Sequence, residues 1–406
     1  MTSLRSSAAG MASQLLNAGT NVVTAFAASV VLAPESFGLF VLGFAVVTIA
    51  LATGRGLIGQ TMLTQLPATP EGDRPALVRS AVGFAVLVGG LGTVALLVVS
   101  QWIGSVVWFV PWLVLALVQD VGRYAFLALG RAVAALVLDV VWAAAQAVLV
   151  VGWWLIGGAL GIGVFATAWG VGALAGAVAF AALARHSAVP AGPGPWLRST
   201  RDVAGWFTAM SVLGQLEVYL VILLAGALAG ARDAGGLRAV QLLVFQPPMV
   251  LLGAVLALAT PPVARLGAGS SGLPSVWRLT ALAVTPVAAV VLVVATLAGP
   301  VMGFLFPQYT DYSDLVLPVA LQSALAAFAV PTLALLAGTR RAGLAFGLQT
   351  GRSILLLVGV VVGAIVAGTH GLAWSLAISG AVTLAVGTYI AWSVLTTVPA
   401  REAVPA

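Results

Sequence analysis

The chain has 406 residues, of which 61% are hydrophobic and only 7% are charged. A soluble globular domain carries roughly 25% charged residues, so this chain cannot coat a water-facing surface of its size. It has no cysteine and only two histidines, which excludes disulfides, thiolate chemistry and a histidine-based metal cluster. We therefore expect an integral membrane protein without a metal or bound cofactor.

The apolar runs are long and continuous, as in residues 81–99 and 354–367, and this pattern predicts spanning helices rather than a β-barrel. Each predicted helix can cross a hydrocarbon core about 30 Å thick. The first run follows Arg5 without a small-residue cleavage site, so we interpret it as a span and not as a removable signal peptide. We place about twelve spans, at roughly 11–32, 37–57, 77–99, 102–119, 132–153, 160–183, 204–228, 238–260, 279–299, 315–336, 344–366 and 372–395.

The arginines fix a predicted orientation with both termini in the cytoplasm. They lie singly at span ends, which is typical of the positive-inside rule and not of a nucleic-acid surface. The outer connections then hold only Arg232 and Arg238, beside Asp233. The predicted cytoplasmic connections hold Arg74, Arg79, Arg123, Arg131, Arg185, Arg198, Arg201, Arg265, Arg278, Arg340, Arg341 and Arg401.

The longest connection, at about residues 185–203, is rich in proline and glycine and predicts a flexible cytoplasmic linker. It divides the chain into an N-terminal six-helix lobe, 1–190, and a C-terminal six-helix lobe, 191–406. Internal duplication of this kind is common in transporters, which bind substrate between the halves. The predicted fold is therefore all-α, with two lobes around a central cavity.

Polar residues form a stripe on the first span, because Ser13, Asn17, Thr20 and Thr24 follow at helical spacing with Gln14 and Asn21 beside them. Unpaired amides facing lipid would cost several kcal/mol, so this face must meet other helices or water. Interhelical hydrogen bonding is one interpretation. The length of the stripe favours the other, which is the wall of a water-filled cavity.

Two carboxylates interrupt apolar spans. Asp139 shares a face of the fifth span with Gln146, and Glu217 lies near the middle of the seventh, close to Gln215. A charge near the bilayer centre costs about 3 kcal/mol or more, so each carboxylate is protonated, paired or exposed to a wet cavity. Structural pairing and ion coupling both remain open.

Arg55, at the inner end of the second span, and Arg352, inside the eleventh, are candidate cations of the cavity. Arginine forks match phosphate oxygens, although an arginine near a span end is also a common snorkelling anchor. The string from Gly54 to Gly59 spells a dinucleotide-binding motif, but it follows a membrane helix and not a strand.

Several segments, in chain order, resemble the polysaccharide transporter (Wzx-type) flippases of the multidrug/oligosaccharidyl-lipid/polysaccharide exporter superfamily. The segment Pro34-Glu35-Ser36-Phe37-Gly38 resembles the family's loop between spans 1 and 2, and the stretch from Gly54 to Leu66 resembles its exit from span 2. Further similar segments are Gly214-Gln215-Leu216-Glu217, Phe304-Leu305-Phe306-Pro307-Gln308-Tyr309 and Gly371-Leu372-Ala373-Trp374-Ser375. Here Glu217 replaces the more usual aspartate and Pro307 replaces a glycine.

The resemblance implies a transporter, not an enzyme, that flips a lipid-linked oligosaccharide across the cell membrane by alternating access. Arg55 and Arg352 would attract the pyrophosphate, and Gln14, Asn17, Asn21, Gln146 and Gln215 would bind the glycan. An H⁺ or Na⁺ gradient would drive the cycle through Glu217 or Asp139. The expected partners are the lipid-linked glycan, membrane lipids and glycosyltransferases or a polymerase of the same pathway, with the protein itself a monomer.

Two alternatives remain. A multidrug/cation antiporter of the same superfamily would use Asp139 and Glu217 beside a tryptophan such as Trp142 to bind cations. The other alternative is a polytopic membrane enzyme or an inert scaffold. An acidic pair that converges with a basic group at the outer face would indicate the enzyme, and a solid, dry helix bundle would indicate the scaffold. An arginine-lined cavity favours the flippase, and a carboxylate-lined one favours the antiporter.

Overall fold

The structure is a computed structural model that describes residues 2–202, 204–249, 251, 252, 255, 263, 273–339 and 341–396. The described part is almost entirely helical. The helices are α1 (Thr2–Val31), α2 (Pro34–Gly54), α3 (Thr61–Ala68), α4 (Arg74–Val99), α5 (Leu113–Ala128), α6 (Ala132–Leu155), α7 (Ile162–Ala184), α8 (Gly194–Thr200), α9 (Ala204–Leu228), α10 (Ala231–Val244), α11 (Leu273–Thr296), α12 (Ala298–Leu305), α13 (Val316–Gly338) and α14 (Ala342–Thr396). Short 3₁₀ turns cover Gly104–Trp108, Val110–Trp112, Arg185–Ala188 and Pro307–Leu315.

The helices form because hydrocarbon offers no partners for backbone N–H and C=O groups, so each segment satisfies them internally. Among the described residues, nine segments are long and apolar enough to cross a membrane. One of them, Gly343–Thr396, is interrupted at Ala367 and Gly368, where φ of Gly368 is +56°. The chain is thus a multi-pass membrane protein, while the count of twelve spans and the cytoplasmic termini stay predictions.

One predicted boundary was wrong. The fourth span was expected to end at residue 119 and to leave Arg123 in a cytoplasmic connection. Helix α5 instead continues to Ala128, and Arg123 is only 2% exposed inside it. Likewise Arg238, predicted in an outer connection, lies within α10 and is 2% exposed. Both arginines looked like loop residues because a charge lowers the hydropathy of the helix that carries it.

The chain divides into two compact units, residues Met1–Gly226 and Ala227–Ala406. In the first unit α5 packs against α3, α4, α6 and α7, and α1 packs against α6. Aromatic rings fill the space between α2, α7 and the 3₁₀ turns. The ring of Phe44 lies 5.8–6.3 Å, between centroids, from those of Phe40, Phe109 and Trp169. The first unit therefore has its own core.

The second unit is built around α13, which packs against α11, α14 and α10. One apolar cluster includes Val284, Ala288 and Ala327, and another includes Leu335, Leu336 and Val394. The two halves of α14 fold back on each other beyond the break, so that Ser375 Oγ donates to the carbonyl of Gly359 at 2.6 Å. The two predicted lobes, 1–190 and 191–406, have a different boundary from these units and stay a prediction.

Candidate functional site

A small polar cavity lies inside the first unit, between α1, α2, α6 and α7. Its volume is about 20 Å³, enough for a water molecule or a small ion. Four of the candidate site residues predicted from the sequence, Asn17, Asn21, Arg55 and Asp139, meet here. The cavity is lined by Asn17, Thr20 and Asn21 of α1; Phe44, Thr48 and Leu51 of α2; Asp139 and Trp142 of α6; and Trp169 of α7. Arg55, which directly follows α2, completes the lining.

Three residues of the polar stripe of α1, Asn17, Thr20 and Asn21, line this cavity. Thr20 Oγ1 donates to the carbonyl of Leu16 at 2.7 Å, and Thr24 Oγ1 donates to that of Thr20 at 2.7 Å. Such i−4 bonds satisfy the hydroxyl hydrogens within the helix. Asn21 Nδ2 also reaches back to the carbonyl of Asn17, at 3.3 Å. Asn17, Thr20 and Asn21 form the polar wall of the cavity, and Thr24 does not line it.

Asp139 is the buried carboxylate of the cavity, with 2% of its surface exposed. It accepts a hydrogen bond from Ser13 Oγ of α1, and Gln119 Nε2 of α5 lies 3.5 Å from its Oδ1. Both partners are uncharged donors. Neutral hydrogen-bond donors stabilise a carboxylate without compensating its charge, so a proton or a small cation can still bind to Asp139.

Arg55 lines the same cavity from a π-helical turn, Arg55–Gln60, which interrupts the helix between α2 and α3. π-Helical turns often occur at functional sites. Arg55 Nε lies 2.6 Å from Asp120 Oδ2, and Arg123 Nε lies 3.5 Å from Asp120 Oδ1. Asp120 thus has a cation on each oxygen, so Arg55 is a paired arginine and not simply a snorkelling anchor.

Gln146 continues the polar seam between α1 and α6 away from the cavity. Its Nε2 donates to Thr24 Oγ1, and its Oε1 accepts from Trp142 Nε1 at 3.3 Å. Gln146 is 5% exposed and does not line the polar cavity. In this unit it fits the interhelical hydrogen-bond interpretation.

The remaining candidates lie elsewhere. The side chain of Gln14 is outside the described part of the structure. Gln215 and Glu217 are on α9, with Gln215 partly buried and Glu217 8% exposed, and neither lines the cavity around Asp139. Arg352 is in the second unit, where it lines a separate cavity of about 10 Å³ with Gln322 and Ser379.

The sequence interpretation missed Gln119 and Asp120 and misplaced Arg123. All three are 4% exposed or less, on the part of α5 that the hydropathy pattern assigned to a span end or a loop. The detectable pattern was the spacing of Asp120 and Arg123, an i,i+3 pair of opposite charge on one helix face. Among the described residues, no group of three or more His, Asp or Glu side chains is placed to hold a metal.

Neither a family model nor a curated protein sequence matches the chain. Solved structures do match. An inward-facing multidrug resistance MATE family transporter of the MOP superfamily superposes with a TM-score of 0.74 at 14% identity, over 95% of this chain and 96% of that one. An outward-facing structure of such a transporter gives 0.66 at 15% identity, over 98% and 96%.

The fold is that of the MATE transporters. A MOP superfamily transporter from Pyrococcus furiosus, whose binding pocket of reverse polarity suggests a different function, also matches, with a TM-score of 0.66 at 15% identity over 98% and 96% of the two chains. At these identities the MATE likeness concerns the fold alone. This likeness is consistent with the sequence resemblance to the same superfamily. Membership of the Wzx-type flippases stays a prediction.

Proposed function

We propose that the protein is a secondary transporter that works by alternating access and couples transport to an ion gradient at Asp139. The observation that carries the proposal is the cavity of about 20 Å³ around this buried carboxylate. Pockets for drug-sized ligands measure roughly 300–1,000 Å³, so this cavity suits a proton-carrying water or a small cation and not a glycan. Asn17, Asn21 and Arg55 would then serve the coupling site.

For the transported substrate, we propose a lipid-linked oligosaccharide or polysaccharide precursor, moved across the cell membrane. The support is the ordered set of sequence segments that resemble Wzx-type flippases, from Pro34–Gly38 to Gly371–Ser375. Arg352 adds a cation inside the second unit, the kind of group that binds pyrophosphate. No chemical step on the substrate is needed, so the proposal is for a transporter and not an enzyme.

A multidrug/cation antiporter is the second candidate, because a specific observation favours it. Asp120 pairs with Arg55, so the cation that was expected to attract a pyrophosphate is already neutralised. Next to the carboxylate of Asp139, the cavity wall holds the rings of Phe44, Trp142 and Trp169. A carboxylate beside aromatic faces is chemistry that attracts cations. Some of the structures with this fold are described as multidrug resistance transporters.

The experiment uses purified full-length protein in liposomes with an imposed H⁺ or Na⁺ gradient. One arm follows a fluorescent polyprenyl-pyrophosphate-linked oligosaccharide between leaflets, and the other follows uptake of a fluorescent organic cation. We expect gradient-dependent movement of the lipid-linked sugar. Movement of the organic cation alone would replace the flippase by the antiporter, and no movement of either would refute the transporter.

The coupling role is tested with Asp139→Asn in the same liposomes. This variant keeps a polar group of the same size but cannot carry a charge, so we expect it to lower gradient-driven transport to the level of protein-free liposomes. Glu217→Gln, on α9 away from the cavity, is the comparison for the other predicted ion carrier. Asp202→Asn, at an exposed carboxylate, is the matched control. Full activity of Asp139→Asn would remove Asp139 from coupling.

A further inference from the structure

A second pocket in the first unit lies where α4 begins and where α5 and α7 end. Its volume is about 270 Å³, and its lining includes Glu71, Arg74, Arg131, Phe126 and Phe180. The arginine distribution predicts that this end of the helices faces the cytoplasm, at the level of the lipid headgroups. The pocket shares no lining residue with the cavity around Asp139, which is lined by α1, α2, α6, α7 and Arg55.

The charge of this pocket is positive. Arg131 has no carboxylate within ion-pair distance among the described residues, and its guanidinium carbon lies 4.7 Å from the centroid of the Phe126 ring. Arg74 Nε donates to the carbonyl of Thr69 at 3.0 Å and Nη2 to that of Pro67 at 3.4 Å, while Nη1 pairs with Glu71 at 3.3 Å. The carbonyls leave the charge of Arg74 uncompensated, and the pair with Glu71 is weak because the side chain of Glu71 is 89% exposed. Glu71 is the one carboxylate of the lining, against two arginines.

The N-terminus of α4 adds to the positive charge of this pocket. The helix begins at Arg74 and runs to Val99, and its N-cap residue, Asp73, makes no side-chain capping bond. The N–H of Arg74 is bonded to the carbonyl of Pro70 at 3.2 Å and Pro75 has no N–H, so α4 contributes only the partial positive charge of its N-terminus. Asp73 itself does not line the pocket.

The inner wall of the pocket is apolar. Phe126 is 2% exposed, Phe180 is 1% exposed, and Val78 is 3% exposed. A soluble anion gains nothing from such a wall, whereas the glycerol and upper acyl chain of a lipid would pack against it. The volume is close to the lower end of the range for small-molecule sites, which suits a headgroup and not an oligosaccharide.

We propose that this pocket binds the phosphate of an anionic membrane phospholipid, with Arg74 and Arg131 as its cations. Basic pockets between membrane helices on the cytoplasmic side are suited to such headgroups. The lipid would hold together the cytoplasmic ends of α4, α5, α6 and α7. This site is independent of the transported substrate and of the coupling site at Asp139.

The test is a titration of the full-length protein in detergent micelles with phosphatidylglycerol or phosphatidylcholine, with bound lipids counted by native mass spectrometry. The variants are Arg131→Gln and Arg74→Gln. The matched control is Arg79→Gln, an exposed arginine on the same helix that does not line the pocket. We expect phosphatidylglycerol to bind more tightly than phosphatidylcholine, and each pocket variant to weaken it about fivefold. Arg79→Gln should leave the affinity unchanged.

Arg131→Lys keeps the charge and should retain most of the affinity, which separates loss of charge from loss of folding. Three results would overturn the proposal. They are unchanged phosphatidylglycerol binding in both pocket variants, an equal loss in Arg79→Gln, and equal affinity for the two lipids. Inorganic phosphate is added as a further arm, and displacement of the lipid by phosphate at equimolar concentration would make this a site for soluble anions instead.

Discussion

The two units each bury an arginine, Arg123 in the first and Arg238 in the second, but they differ in where their carboxylates lie. The first, Met1–Gly226, buries an ionic network inside its helices, where Arg123, Asp120 and Asp139 are all 4% exposed or less. The second, Ala227–Ala406, has an ion pair with exposed side chains, Arg232 and Asp311, 3.3 Å apart and 59% and 75% exposed. Buried charges are expensive in a membrane and are retained where they have a role. The difference therefore locates the candidate coupling chemistry in the first unit.

The largest expected effect comes from breaking the buried network. Asp120→Asn removes the carboxylate that pairs with Arg55 at 2.6 Å and with Arg123 at 3.5 Å. It should lower the free energy of unfolding by about 3–5 kcal/mol, because removing one partner of a buried ion pair leaves the other charge poorly compensated. Denaturant titration in mixed micelles measures this loss.

The control for that variant is Asp202→Asn, which removes an ion pair of Arg201 whose side chains are 80% and 87% exposed. We expect no measurable change, because exposed pairs contribute little. Equal stability of Asp120→Asn and Asp202→Asn, both in the first unit, would mean that the buried network contributes no more than an exposed ion pair.

In the second unit, packing rather than charge is the sensitive feature. A Cβ placed at Gly371 would overlap the backbone oxygen of Gly363, where the two halves of α14 approach. Gly371→Ala should therefore lower the free energy of unfolding by about 1–3 kcal/mol, since overpacking forces backbone shifts. The measurement is the same denaturant titration.

The matched control is Gly359→Ala on the same helix. The nearest atom to a Cβ at Gly359 is Ser375 Cβ at 3.5 Å, which is ordinary van der Waals contact. This variant should have wild-type stability. Because Ala favours a helix more than Gly does, a loss in Gly359→Ala as large as that in Gly371→Ala would mean that the loss does not come from the close approach at Gly371.

The smallest effect is expected at the exposed ion pair of the second unit. Asp311→Asn removes the partner of Arg232 and should cost about 0–1 kcal/mol, less at high salt. Stability measured at low and high salt checks this expectation. A loss comparable with that of Asp120→Asn would remove the contrast between the two units.

The polar stripe of α1 shows how far sequence periodicity leads. Asn17, Thr20 and Asn21 were predicted to line a polar cavity because residues three and four apart share a helix face. They do line one, together with Arg55 and Asp139. What the stripe did not reveal was the size of the cavity. A volume is fixed by how closely neighbouring helices pack, and no property of a single helix reports it.

The residues around Asp120 show where periodicity fails. A charged cluster at the end of an apolar run looks the same in sequence whether it faces water or pairs inside a bundle. Arg123 is buried because Asp120 on its own helix and Arg55 from another segment complete the network. The ion pair between Arg55 and Asp120 joins residues that are 65 positions apart in the chain.

By itself, the sequence determined that this chain is a helical membrane protein, because a chain with so few charges and such long apolar runs is stable only when lipid surrounds most of its surface. It also determined which helix faces are polar. Only the tertiary structure decided which of those faces meet, which arginine is paired with which carboxylate, and how much room remains between them. The physical reason is that solvent preference is a property of each segment, whereas pairing and cavity volume depend on contacts between segments far apart in the chain.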